Sequence, residues 1–192
     1  MAVHTGMRQG ELLGLKWQDV DLQAGTLQVR RTLTKSGTSL LLGEPKTAKG
    51  RRKIKLTARA TAALRAHRKR QLEERMHRAG LWQDQGLVFA SESGTLINLT
   101  NLRKRSFASL LERAGLSKIR FHDLRHTCAT LLLGRGVHAK FVQELLGHAN
   151  INITLDTYSH VLPSMGDQTA RAMEDALDKE DPPEEGAAEG QP

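Results

Sequence analysis

The feature that most constrains the fold is a change of period at Thr57. Upstream, between Thr26 and Leu56, the chain reads TLQVRRTL, TSLLLGEPKT and RRKIKL, three β-type runs separated by the turn signals KSG and AKG. Downstream, apolar residues recur at helical spacing and the runs stop at or just before glycine. A helix from Ala58 to about Arg78 precedes Gly80, LTNLRKRSFASLLERA precedes Gly115, His122 to Leu133 precedes Gly134, and His138 to Leu146 precedes Gly147. Strands in one block and helices in another give an α+β class, mostly α-helical, with a small three-stranded antiparallel sheet near the N-terminus. Two further helices are predicted, from Asn150 to about His160 and from Pro163 to Leu177, the second with a weak apolar face of Met165, Ala172, Met173 and Ala176.

Shorter elements flank these. RQGELLGLKW places Leu12, Leu13 and Leu15 on one side of a short helix, and Thr5-Gly6 before it reads as a turn. Met1 to His4 are too few to nucleate a helical turn alone, so the start is expected to be the stub of a longer element. GLVFAS reads as a strand or a buried loop.

The 192 residues, 39% apolar and 26% charged, suit one globular domain with a disordered appendage. Eight of the last nineteen residues are acidic and only Lys179 is basic, and Pro182, Pro183, Gly186 and Gly190 interrupt them, so residues 174–192 are expected to be an acidic disordered tail. Removing that tail raises the formal charge of residues 1–173 from the chain's +8 to +15. So basic a body suggests a polyanionic partner, nucleic acid first. No apolar run approaches the roughly 20 residues that span a bilayer, and no signal peptide opens the chain, so a cytoplasmic protein without a membrane partner is expected. The single cysteine, Cys128, excludes an internal disulfide framework.

FHDLRHTCATLLL, Phe121 to Leu133, carries two histidines four apart and superficially resembles a zinc-protease helix. Asp123 stands where that chemistry needs a glutamate, Arg125 would repel a dication, and no third ligand follows at a suitable spacing, so no metal is expected. On a helical wheel Phe121, Leu124, Cys128, Leu131 and Leu132 form an apolar stripe, with Arg125 at its edge and His122 about 60° further round. His126 faces away from the stripe, toward solvent or a phosphate.

HDLRHT resembles the HxxR box of the tyrosine recombinase (phage integrase) family, and three other boxes follow the family order: TGMRQGELLGLKW, PKTAKGRR and LLGHANINITLDTYSH. The resemblance spans about Ala2 to Val161. It implies the catalytic-domain fold of that family and a complete catalytic set: Arg8, the hairpin lysine Lys46, His122, Arg125, His148 and the nucleophile Tyr158, with Glu11 in support. It also implies an N-terminal core-binding domain that is absent from the sequence as given. Residues 1–173 are therefore expected to be an N-terminally truncated catalytic domain, complete in its residues and defective in practice if it acts alone.

The implied reaction accounts for these residue types. A tyrosine oxygen attacks a phosphodiester of double-stranded DNA, leaving a 3′-phosphotyrosine and a 5′-hydroxyl, with no cofactor and no small-molecule substrate. Two guanidiniums neutralise the transition-state oxygens, and losing one such donor costs about 3 to 4 kcal/mol in comparable sites. His122 is the expected base, with His148 able to share the work, and Lys46 the expected acid, with Lys49 and Lys53 as competitors. His148 also reads as a helix-capping histidine, and Glu11 as a surface acid. The family resemblance implies a homo-tetramer on DNA that exchanges a C-terminal segment. Two rival classes are a non-catalytic helix-turn-helix DNA-binding protein, built on the helices about GRGV, and a type IB topoisomerase-like strand transferase.

Overall fold

The computed structural model describes residues 1–45, 47–159 and 165–177. The chain divides after residue 161 into two units. The first opens with α1 (Ala2–Thr5) and α2 (Gln9–Leu13), then forms β1 (Val20–Asp21), β2 (Thr26–Val29), β3 (Thr32–Ser36), β4 (Ser39–Gly43) and β5 (Arg52–Lys55). Five helical elements follow: α3 (Ala58–His77), α4 (Leu99–Asn101) continuing through a π-helical segment Leu102–Phe107 into α5 (Ala108–Arg113), α6 (Asp123–Leu133), α7 (Ala139–Leu146) and α8 (Ile151–Tyr158). In the second unit α9 (Met165–Leu177) is helical through Glu174–Leu177, so the predicted tail begins inside a helix, and the rest of that tail lies outside the described residues.

The three-stranded antiparallel sheet is present, but in the order β1-β2-β5. Arg30 and Arg31 break the first predicted run, so β3 leaves the sheet and pairs with β4 as a separate hairpin. In the sheet Leu27 opposes Ile54 and Val29 opposes Arg52. Side chains alternate along a strand, so Arg52 shares the inner face with Ile54. This register carries a buried guanidinium from the sheet toward the helices. GLVFAS is the buried-loop alternative, with Leu87 bridging Lys16.

One core joins the sheet to the first helices: Met7, Leu12, Leu15, Leu27, Val29, Ile54, Leu56, Ala60, Leu64 and Val88. The α3 helix starts where predicted because Thr57 accepts a hydrogen bond from the Ala60 amide, yet only Ala60 and Leu64 along it are buried. Helix α1 forms a turn although its four residues are too few to nucleate one alone. Tertiary packing stabilises it: α1 lies against α6, and Gly6 ends it at φ 59°. A Cβ on Gly6 would lie 2.5 Å from Leu146 Cδ2 and 3.3 Å from Cys128 Sγ, so glycine permits both the left-handed turn and the close approach of α6 and α7.

No helix among the described residues is long and apolar enough to cross a membrane.

Candidate active site

Arg8 precedes α2 as its N-cap. Its backbone amide donates to Glu11 Oε2 and its Nη1 to Glu11 Oε1, both at 2.9 Å, so the i,i+3 pair read from the spacing is present. Glu11 is buried, contrary to its alternative reading as a surface acid, and its second partner is Arg52, a residue that carried no role in the sequence reading. The bonds from Arg52 and Arg8 outweigh the desolvation of the Glu11 carboxyl and hold its pKa below the ordinary value. Arg52 also donates from Nε to the Leu145 carbonyl at 2.5 Å and from Nη1 to the Gly50 carbonyl at 3.0 Å. The signal that would have found it is the strand alternation Arg52, Ile54, Leu56.

Arg125 lies deeper than the wheel suggested, at 2% exposure rather than on a rim. Its Nη1 donates to the Gly6 carbonyl at 2.7 Å and its Nη2 to the Leu146 carbonyl at 2.8 Å, which makes burial tolerable. Desolvation first, then repulsion by Arg8, lowers its pKa to about 10, so it remains a cation at neutral pH. The apolar stripe of α6 is also rotated: Leu131 is exposed, and the buried residues are Arg125, Cys128, Ala129 and Leu133.

Gly147 ends α7 in the left-handed conformation at φ 68° and directs the chain to His148, as expected. His148 Nδ1 lies 2.9 Å from Thr154 Oγ1, and the His148 carbonyl accepts from Gln143 Nε2, so the residue is fixed by α7 and α8 together. Burial, followed by the charges of Arg125, Arg8, Arg52 and His122, pushes its pKa down to about 4. At neutral pH His148 is an uncharged imidazole facing cations. The α7–α8 corner is also tied to the chain before β5, because Lys49 Nζ donates to the Ala149 carbonyl at 2.7 Å.

Tyr158 ends α8 and is 2% exposed. Burial raises its pKa, and Arg125 opposes that rise. Its hydroxyl lies 2.8 Å from Nδ1 of His126, a contact the sequence reading did not anticipate for this half-buried histidine. The sequence missed this because the partners are 32 positions apart. His122, the N-cap of α6, is next to His126, with the two rings edge to face at 4.9 Å. Desolvation, then His126, Arg125, Arg8 and Arg120, lowers the His122 pKa.

Five of the six catalytic residues expected from the sequence therefore share one electrostatic neighbourhood, and Lys46 lies outside the described residues. Its chain neighbours Pro45 and Thr47 line a cleft of about 310 Å³ with Arg8, Glu11, Thr32, Thr34 and Gly50. Of its competitors, Lys49 is engaged with Ala149, and Lys53 is exposed on the outer face of β5, opposite Gln28.

Residues 1–165 match the family model described as the phage integrase family. The chain is 37% identical to a tyrosine recombinase XerC-like protein of Caldanaerobacter subterraneus subsp. tengcongensis, covering 91% of this chain and 48% of that protein. It is 30% identical to the prophage integrase IntR of Escherichia coli strain K12, covering 87% and 43%. Among solved structures, the Tn1549 transposon integrase in complex with transposon right end DNA superposes with a TM-score of 0.73 at 25% identity, over 92% of this chain and 56% of that one. The XerH site-specific recombinase bound to a palindromic difH substrate superposes at 0.62 with 30% identity, over 90% and 44%. The chain spans about half the length of the curated relatives it matches. The ordered boxes, the helix-rich body with its small sheet and the family match agree: this chain belongs to the phage integrase, or tyrosine recombinase, family.

Proposed function

We propose that this chain is the catalytic part of a metal-independent, site-specific DNA recombinase with Tyr158 as its nucleophile. The observation that carries the reading is the convergence of Arg8, Arg125, His122 and His148: both histidines feel the charges of Arg125 and Arg8, Arg125 feels Arg8, and Tyr158 is electrostatically coupled to Arg125. Tyr158 Oη attacks phosphorus, the bond from phosphorus to the 5′-oxygen breaks, and a 3′-phosphotyrosine forms. Arg8 and Arg125 hold the non-bridging oxygens, since two fixed guanidinium forks match a pentacoordinate phosphorus without Mg²⁺. When Thr154 donates its hydroxyl proton to His148 Nδ1, the ring proton sits on Nε2, where a neutral His148 can donate to the same phosphate. Lys46 protonates the leaving 5′-oxygen; its flanking residues share a cleft with Arg8.

Double-stranded DNA is the partner, supported by the basic body and by DNA in the related XerH and Tn1549 integrase structures. Residues 1–173 supply the catalytic domain, and the working assembly is a homo-tetramer on two duplexes in the cytoplasm. The test is a DNA duplex nicked beside the scissile phosphate, which traps the covalent intermediate. A denaturant-resistant adduct lost in Tyr158→Phe, with DNA affinity kept, is the expected result. An adduct that survives the substitution refutes the assignment.

A further inference from the structure

We propose that His126, which the ordered motif boxes assign no role, takes the proton from Tyr158 as the phenol attacks. The assignment rests on the reading of Tyr158 as nucleophile and replaces His122 as the proton acceptor. Its first support is contact: Nδ1 of His126 lies 2.8 Å from the phenol oxygen, within the reach a general base needs. No other side chain among the described residues hydrogen-bonds that oxygen. Its second support is enclosure, because Tyr158 is 2% exposed and bulk water has little access to the hydroxyl. A buried phenol holds its proton more tightly, so attack at neutral pH needs a base already in place.

The surroundings suit that transfer. His122 stands one helical turn before His126 with its ring edge to face against it, one ring further from the phenol. Desolvation, His126 and the cations Arg125, Arg8 and Arg120 disfavour its protonation. A neutral His122 leaves the positive charge arriving on His126 unopposed by a second imidazolium. Asp123, on the same helix, is electrostatically coupled to His126 and favours that charge. Arg125 favours the phenolate, and Cys128 is the remaining titratable group coupled to it. The step balances: the Oη proton passes to Nδ1, the bond from Oη to phosphorus forms, the bond to the 5′-oxygen breaks, and that oxygen takes its proton from the general acid. Nδ1 must start unprotonated, with the ring proton on Nε2.

Tyr158 is the only tyrosine in the chain, so isotope labelling at tyrosine Cζ gives a single resonance. In the wild-type chain that resonance should show a step as the imidazole titrates, because a protonated Nδ1 changes from acceptor to donor. His126→Asn places an amide oxygen near Nδ1 that accepts a hydrogen bond but cannot take the proton. The step should vanish in this variant. On nicked DNA its adduct formation at neutral pH should fall about 100-fold or more and recover as pH rises. His122→Asn should keep the step.

A wild-type resonance with no step overturns the proposal, and this outcome does not depend on any variant folding. So does a His126→Asn chain with the wild-type adduct rate at neutral pH, or loss of rate in His122→Asn alone. The two readings fail separately. A wild-type chain that forms no adduct sinks the recombinase assignment and this one with it, whereas wild-type adduct with an unchanged His126→Asn rate sinks only the proton acceptor.

Discussion

Arg52 grips Glu11 with both terminal nitrogens, Nη1 to Oε1 at 3.2 Å and Nη2 to Oε2 at 2.9 Å. With its bond to the Leu145 carbonyl, this side chain ties β5 to the start of α2 and the end of α7. Removing it leaves the buried Glu11 carboxylate with Arg8 alone. Breaking one side of such a pair costs about 3 to 5 kcal/mol. Arg52→Met should lose stability on that scale in urea unfolding, and Arg52→Lys should recover only part of it, since an ammonium cannot span both oxygens and the carbonyl. A loss below about 1 kcal/mol, the scale of an exposed pair, would show that the brace is dispensable.

The depressed pKa of His148 makes stability fall on the acid side. The ordinary value is 6.5 and the folded value about 4, so between those values the unfolded chain binds a proton that the folded chain refuses. Stability is therefore full above that window and decreases as pH drops through it, by about 2 to 3 kcal/mol from this residue. His122 shifts in the same direction and adds to the slope. Urea midpoints measured from pH 7 to 4 should fall, and His148→Gln should flatten the dependence without abolishing it.

Gly147 has a positive φ of 68°, and a Cβ there would meet both Arg52 Nη1 and the Lys49 carbonyl at 2.9 Å. Gly147→Ala should cost about 1 to 3 kcal/mol from strain and displacement. Two of the three nearest atoms belong to Arg52, so the losses from Gly147→Ala and Arg52→Met should not add in the double variant. Calorimetric melting of the two singles and the double checks this, and strict additivity would refute the contact.

Arg125→Lys tests the depth of the second guanidinium. A lysine cannot serve the Gly6 carbonyl, the Leu146 carbonyl and a phosphate oxygen together. Adduct formation on nicked DNA should fall about 10² to 10³-fold, with DNA binding reduced far less. Equal losses in binding and cleavage would mean that Arg125 holds the ground state and not the transition state.

The local parts of this architecture were legible in the sequence. Thr57 starts α3 and Gly147 stops α7 because capping depends on neighbouring residues and on backbone conformations that sequence encodes directly. What escaped depends on distant partners. The helical wheel put Arg125 at an edge, and only carbonyls from residues 6 and 146 draw it inside. The wheel turned His126 toward solvent or a phosphate, and only α8 brings Tyr158 beside it. Strand β1 has two residues, too few for a period to register, yet it completes the sheet that the sequence had built from the β4 run. The ordered boxes identified most of the electrostatic cluster, while the side chains that brace it, Arg52 and Thr154, carried no motif signal of their own.

The two carbonyls that anchor Arg125 lie far apart in the chain of the first unit, Gly6 119 residues before it and Leu146 21 residues after it. During translation the guanidinium thus emerges before its second anchor, and the phenol later still. A nascent chain halted at α6 holds neither a seated Arg125 nor a Tyr158. The neighbourhood of Arg125 and Tyr158 therefore closes only after residues 6, 146 and 158 have all been made.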